Sequence, residues 1–348
     1  MPIGIALIGS GIFAQEQHLP AITATPSLTL KAIYSRTLKS AQALGEGLAG
    51  VELYSEDSEG KGYEELLQRE DIGGVVIALP ILAQPSYIRK ALTANKHVLA
   101  EKPIAKDVAT ASELISWYTE RILSSPPNPS PNPSPPIFAI AENFRYLDSF
   151  VYASQQIALL GRILGFRTRV NNLVTGGKYF ETAWRKVPEY QGGFLLDGGV
   201  HFIAATRLML GEGNQPVRTS AFTSQLQPHL PPVDTLTASV QLASGVSGTM
   251  DISFGTTFKG SEYAVACEGG SVWVSKGKVV VTDKEGKESV REFPEEGSGV
   301  VQEVKAWGES LERGKVNEEQ SPEQALEDLK LLEAMLRSGE QGGKVMDV

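Results

Sequence analysis

The first hundred residues alternate short aliphatic strands with helix-like stretches: IGIALIG, a helix expected near residues 13 to 24, LKAIYS, a helix near 37 to 48, then VELY, GGVVIAL and HVLAE. Such alternation builds right-handed βαβ units and a parallel sheet. The strands carry few polar residues, the pattern of a sheet covered by helices on both faces. A helix near 107 to 123 leads to another aliphatic run, IFAIAE, at 137 to 142. Between them, at 124 to 136, lies SSPPNPSPNPSPP, which can form neither helix nor central strand. Composition suggests a domain linker; a surface insertion is the better reading, because the run after it completes the same sheet.

From about residue 148 the texture changes. A helix near 148 to 160 precedes GRILGFRTRVNNLV and a glycine-rich helical stretch, and then come TLTASVQLASG, VSGTMDISF, EYAVACEGG, SVWVSKG and KVVVTD. Closely spaced strands with glycine-containing turns predict a mostly antiparallel sheet. Two more helices are expected near 300 to 313 and 322 to 338, the second capped by Ser321 with Pro322 at its first position. The fold class is therefore α/β plus α+β. A Rossmann-type doubly wound parallel sheet over residues 1–146 is followed by an open-faced, mostly antiparallel sheet domain over 147–348, with the helix 322–338 expected to pack back on the first domain. A length of 348 residues with 41% hydrophobic content suits two packed cores.

Composition narrows the function classes. No apolar run reaches the roughly 20 residues needed to span a bilayer, and MPIGIALIGSG lacks the basic stretch and cleavage site of a secretory signal, so a cytoplasmic location is expected. The single cysteine, Cys267, rules out an internal disulfide and argues against a thiolate metal cluster; no metal is expected. A net charge of -9 disfavours nucleic acid and anionic membrane as main partners.

Gly9-Ser10-Gly11-Ile12-Phe13-Ala14 follows the first strand and opens a helix, matching G-x-G-x-x-A in the context that motif requires. The first glycine permits a tight turn, the second lets backbone approach a pyrophosphate, and Ala14 allows close helix packing. The anion meets free N–H groups at the helix start. A carboxylate ending the second strand would bind the ribose 2′-hydroxyl of NAD, but this chain has Tyr34-Ser35-Arg36-Thr37. With no acid there to repel a phosphate, Arg36 offers a planar donor fork to a 2′-phosphate, and the Ser35 and Thr37 hydroxyls add donors. NADP(H) is the expected cofactor.

A second constellation comprises Trp184-Arg185 and the run Gly192-Gly193-Phe194-Leu195-Leu196-Asp197-Gly198-Gly199-Val200-His201. On a helix, Asp197 and His201 share one face. Each interior glycine costs roughly 0.5 to 1 kcal/mol relative to alanine, so the Gly198-Gly199 pair implies close approach to a ligand or another backbone. Taken alone, His201 could equally be a satisfied core histidine.

Together, the glycine motif, the Glu101-Lys102-Pro103 strand end and WR followed by GGFLLDGGVH resemble the glucose-fructose oxidoreductase/inositol dehydrogenase (Gfo/Idh/MocA) family, and within it fungal NADP(H)-dependent members. The resemblance implies hydride transfer between nicotinamide C4 and a small carbonyl or alcohol substrate such as a sugar, polyol, aldehyde or ketone. It assigns Lys102, Asp197 and His201 to catalysis; we read His201 as exchanging the proton, with Lys102 the alternative donor, Asp197 as orienting the histidine and Lys102 as polarising the substrate oxygen. Leu79, Pro80, Gln84, Glu101, Lys102 and Arg185 join the glycine turn and Ser35 to Thr37 on the cofactor. Asn143, Tyr146 and Trp184 join Asp197 and His201 on the substrate, with Arg145 in the same stretch. Two departures stand out: Ala204 replaces an acid frequent after the histidine, and Gln84 replaces a histidine frequent after the fourth strand. A homo-oligomer, dimer or tetramer, formed through the exposed face of the second sheet is expected. The rival readings are a non-catalytic NADP-sensing regulator of the same fold and a biliverdin-reductase-like enzyme; Lys102 with Asp197 and His201 argues against both.

Overall fold

The structure, a computed structural model, describes residues 2–124 and 135–348. Most of the proline-rich insertion expected at 124–136 therefore lies outside the described residues. The chain divides into two compact units, one made of residues 1–142 and 300–326, the other of 143–299 and 327–348.

The first unit holds β1 (Ile3–Ile8), β2 (Leu28–Ser35), β3 (Glu52–Ser55), β4 (Gly74–Ile77), β5 (His97–Glu101) and β6 (Phe138–Ala141), ordered β3-β2-β1-β4-β5-β6. Every neighbouring pair runs parallel. The strand order reverses between β1 and β4, which places a crevice for ligands beyond the carboxyl ends of these strands. Ile5, Leu7, Val76 and Leu99 are wholly buried, as a sheet covered on both faces requires. β6 runs from Val98↔Phe138 to Glu101↔Ala141 against β5, so the chain beyond the insertion does complete the same sheet.

The helix expected at 13–24 begins with a π-helical segment, Ala14–His18, and continues as α1 (Leu19–Thr23). Then come α2 (Leu38–Gly45), α3 (Tyr63–Leu67), α4 (Gln84–Thr93) and α5 (Val108–Tyr118). Thr37 caps α2 and Asp107 caps α5, each accepting a backbone N–H from three residues on.

In the second unit β7 (Ile163–Asn171) and β8 (Pro216–Ser224) join β9 (Thr235–Leu242), β10 (Ser247–Ser253), β11 (Gly260–Cys267), β12 (Gly270–Ser275), β13 (Lys278–Asp283), β14 (Glu288–Glu292) and β15 (Met346–Asp347). They form one nine-stranded sheet, antiparallel except between β7 and β10. Burial alternates along β9 with the period of a sheet packed on one face only. Helices α6 (Asp148–Leu159), α7 (Ala183–Lys186) and α8 (Gly193–Leu210) belong to this unit. α8 is long and apolar enough to match a membrane span by composition, but it is mostly buried and serves as a core helix.

The last helices are α9 (Val300–Arg313) and α10 (Pro322–Glu340). α9 returns to the first unit because Val300, Val304, Trp307 and Leu311 form one apolar stripe at helical spacing, buried in the parallel-sheet core. Gly74 of β4 makes room for Trp307: a Cβ there would stand 3.1 Å from the indole. Where the sequence suggested one boundary at 146/147, the chain crosses at 142/143, 299/300 and 326/327. It is α9 that lies entirely with the first unit, whereas α10 straddles the division and buries Leu329, Leu332, Met335 and Leu336.

Candidate active site

At the dinucleotide end, Gly9 has φ +109°, and a Cβ on it would stand 2.3 Å from the Ala78 carbonyl oxygen. Only glycine allows the turn after β1 to lie this close to the loop after β4. A Cβ at Gly11 would meet no protein atom within 4 Å, so that glycine faces open space, as backbone that a pyrophosphate approaches must. Ile12 and Phe13 carry the chain into the helix, and Ala14 is buried against the core. The Ser10 and Ser35 hydroxyls share a hydrogen bond of 2.7 Å, joining the ends of β1 and β2.

Arg36 is exposed at this edge. Its two hydroxyl neighbours already have protein partners: Ser35 is buried on Ser10, and the Thr37 hydroxyl caps α2 and donates to Ser40. The expectation that no acid stands here needs correcting. Asp57, from the turn after β3, accepts the Leu38 N–H at 2.7 Å, and Glu56 accepts the Tyr34 hydroxyl. Hydrogen bonds from Ser55 and from the Leu38 N–H hold the Asp57 carboxyl below its ordinary range, so it is ionised. Sequence adjacency missed it because the sheet, not the chain, brings the end of β3 beside the end of β2.

Leu79 and Pro80 lie in the loop after β4, partly buried and exposed respectively, and Gln84 opens α4. Gln84 is 1% exposed, yet neither polar atom of its amide has a hydrogen-bond partner among the described residues. A buried unpaired amide costs about 1–3 kcal/mol, so its persistence at the carboxyl edge of the sheet suits a group that binds a ligand.

The strand-end motif follows on β5. Glu101 accepts a 2.7 Å hydrogen bond from Nε2 of His18, which is wholly buried in the π-helical turn behind the glycine motif. This pair ties the helix behind the glycine turn to the strand that ends at Lys102. Lys102 is partly exposed, and its bond to Pro103 is cis. His18 went unnoticed in the sequence because a lone histidine on a helix carries no spacing signal.

In the second unit, α8 places Asp197 and His201 one helical turn apart, as the spacing predicts. Gly192 and Gly193, at φ +81° and +48°, open the helix; a Cβ on Gly193 would meet the Pro231 carbonyl oxygen at 2.3 Å. Gly198 is required by the Phe254 ring, 2.7 Å from its Cβ position, whereas a Cβ at Gly199 would make ordinary contacts only. Asp197 is buried and accepts the Arg185 Nε–H at 2.7 Å, while the Arg185 guanidinium lies 4.0 Å from the centre of the Trp184 ring. Arg185, expected on the cofactor, is thus held against the acid. His201 stacks on Phe144, centroids 4.7 Å apart.

Asn143 donates its amide to the Ser298 carbonyl, and Tyr146 is partly buried nearby in the same 3-10 turn. Arg145 does not line a site. It is buried in an ion triad, with Asp328 accepting from Arg145 at 2.7 and 2.9 Å and from Arg207 at 2.5 Å. Ala204 is wholly buried in α8, where an acid would need a partner of its own. Tyr190, unremarked in the sequence, has a buried hydroxyl with no hydrogen-bond partner among the described residues; burial, and then the Asp197 charge, raise its pKa.

The fold and glycine turn define an oxidoreductase of the NAD(P)-binding Rossmann class. Residues 3–121 match the NAD-binding Rossmann fold of the Gfo/Idh/MocA oxidoreductases, and residues 155–346 match the C-terminal alpha/beta domain of the same family. The chain belongs to the Gfo/Idh/MocA oxidoreductase family. It is 41% identical to dehydrogenase FPY6 of Fusarium mangiferae, covering 99% of this chain and 98% of that one. It is 30% identical to dTDP-3,4-didehydro-2,6-dideoxy-alpha-D-glucose 3-reductase of Streptomyces violaceoruber over 60% of this chain and 54% of that enzyme. The crystal structure of an oxidoreductase from Thermotoga maritima superposes with a TM-score of 0.85 at 30% identity, covering 100% of this chain and 98% of that one.

Proposed function

We propose that the protein is an NADP(H)-dependent oxidoreductase acting on a small carbonyl or alcohol substrate, a sugar, polyol or related aldehyde or ketone. The observation that carries this reading is the position of Lys102 at the end of β5, on the same carboxyl edge of the parallel sheet as the glycine turn and the buried Gln84 amide. Gly9 to Ala14 would take the pyrophosphate, Arg36 a 2′-phosphate, and Gln84 the nicotinamide end. The bound cofactor supplies hydride donation and acceptance.

The chain's own part is polar. Lys102 polarises the substrate oxygen, His201 exchanges the proton, and Asp197 orients the histidine. Arg185 holds Asp197 in place through the 2.7 Å bond, and Asn143, Tyr146 and Trp184 surround the substrate. The similarity to a nucleotide-sugar 3-reductase supports a carbonyl carried on a sugar. A cytoplasmic location and a dimer or tetramer formed through the uncovered sheet face complete the proposal.

Asp57 favours a second reading, NAD(H), because its carboxylate stands at the start of α2 near where a 2′-phosphate would be held. A panel of aldehydes, ketones, aldoses and polyols assayed with NADPH and with NADH decides between them. NADPH turnover lost in Lys102→Ala, with NADPH binding still measurable by fluorescence, is the expected outcome. Full turnover in Lys102→Ala would refute the assignment, and tight NADPH binding with no turnover on any substrate would favour a sensor.

A further inference from the structure

Glu303, on α9, is wholly buried, and neither oxygen of its carboxyl group has a hydrogen-bond partner among the described residues. One turn further along, the buried Trp307 indole N–H also has none. The Gln320 side chain donates to the Glu303 backbone carbonyl at 3.0 Å and so leaves the carboxyl itself unsatisfied. Burying an ionised carboxylate without hydrogen bonds costs several kcal/mol, which the group escapes by keeping its proton.

Val300, Val304 and Trp307 of α9 pack in one buried cluster with Leu99 of β5 and with Ala139 and Ala141 of β6, which puts Glu303 among the titratable groups Glu101 and Lys102 at the end of β5 and Glu142 directly after β6. His18, from the turn after β1, acts through its bond to Glu101. Burial first, and then the Glu101 and Glu142 charges, raise the Glu303 pKa well above its ordinary value, opposed by Lys102.

We propose that Glu303 is a positioning residue for Lys102: a buried carboxyl, without a hydrogen-bond partner among the described residues, on the helix packed against β5 and β6, which tightens the hold on the lysine ammonium when it ionises. The neutral form keeps a third negative charge away from the Glu101, Lys102 and Glu142 group. Loss of the proton to solvent adds that charge within reach of the lysine. The inference deepens the reading of Lys102 as the residue that faces substrate, and rests on it for its bearing on catalysis.

The test needs no substrate. Acetic anhydride labels the intact protein at pH 6.5 and pH 9.5, and mass spectrometry compares the rate at Lys102 with that at the exposed Lys276. Glu303→Gln, equal in shape and uncharged, is expected to match the wild type at pH 6.5 and to label Lys102 at least about threefold faster at pH 9.5, because one nearby charge is worth more than that factor at partly buried distances. An unchanged Lys102 rate at pH 9.5, or the same change at both pH values, overturns the inference.

Carbon-13 NMR of glutamate-labelled wild-type protein gives an independent arm that requires no stable variant at every pH. The carboxyl signal missing from Glu303→Gln is expected to titrate above the ordinary carboxylate range, and titration within that range overturns the inference. Full turnover in Lys102→Ala would instead defeat the catalytic reading of Lys102, and the labelling result would be unaffected.

Discussion

Removing the Asp328 carboxylate should be among the most destabilising single changes in the second unit. Its two oxygens accept hydrogen bonds from Arg145 and Arg207, and all three side chains are at most 5% exposed. In Asp328→Ala two guanidinium groups stay buried without their anion. Arg207 also donates to the Gln215 side-chain oxygen at 2.6 Å. Breaking a buried pair from one side costs about 3–5 kcal/mol, because the uncompensated charge remains in place. For a unit of this size 1 kcal/mol corresponds to roughly 2–4 °C in Tm, so calorimetry at pH 7 should find the unit's transition lowered by about 6–20 °C.

A companion variant isolates the cause. Replacing all three residues together, Arg145→Met, Arg207→Leu and Asp328→Leu, removes the charges as well as the pairing and should restore most of the lost stability. A fall of less than about 2 °C in Asp328→Ala, a shift too small for any buried pair, would refute the argument that the triad is desolvated and mutually dependent.

Two further outcomes address the first unit. Arg36→Ala should raise the KM for NADPH by about 10- to 100-fold, the worth of a charge-assisted contact, and leave that for NADH nearly unchanged; Asp57→Asn should lower the KM for NADPH. If NADPH and NADH respond alike to Arg36→Ala, the 2′-phosphate assignment fails. His97 accepts the Ile137 N–H on Nδ1 at 2.9 Å, and burial lowers its pKa from 6.5 to about 4. The neutral form is the folded one, so this contribution is present above pH 6.5 and is lost as pH falls toward 4, reaching about 2 kcal/mol at pH 5. Urea melts at pH 7 and pH 5 should show that loss in the wild type and a smaller one in His97→Gln; equal losses would refute it.

The sequence by itself determined the elements and the motifs. Aliphatic runs separated by helical stretches announce a parallel sheet, because strands buried on both faces need apolar residues throughout. Gly9, Gly11 and Ala14 announce the dinucleotide turn, because backbone that must bend and be approached leaves no choice of side chain. The Asp197 and His201 spacing places both on one face of α8 for the same local reason. These are properties of neighbouring residues, and local periodicity carries them.

What the tertiary structure decided depends on residues far apart in the chain. Asp57 reaches the start of α2 only because β3 pairs beside β2, and this reopens the choice of cofactor that the end of β2 alone had closed. His18 meets Glu101 across 83 positions, Arg145 meets Asp328 across 183, and Val304 and Trp307 of α9 join a core that includes Ile5 and Leu7 of β1. Whether a charged side chain serves a ligand or the interior is settled by what packs around it. Arg145 and Glu303 look like ordinary polar residues in the sequence, and burial turns one into part of an ion triad and leaves the other a carboxyl without a hydrogen-bond partner among the described residues.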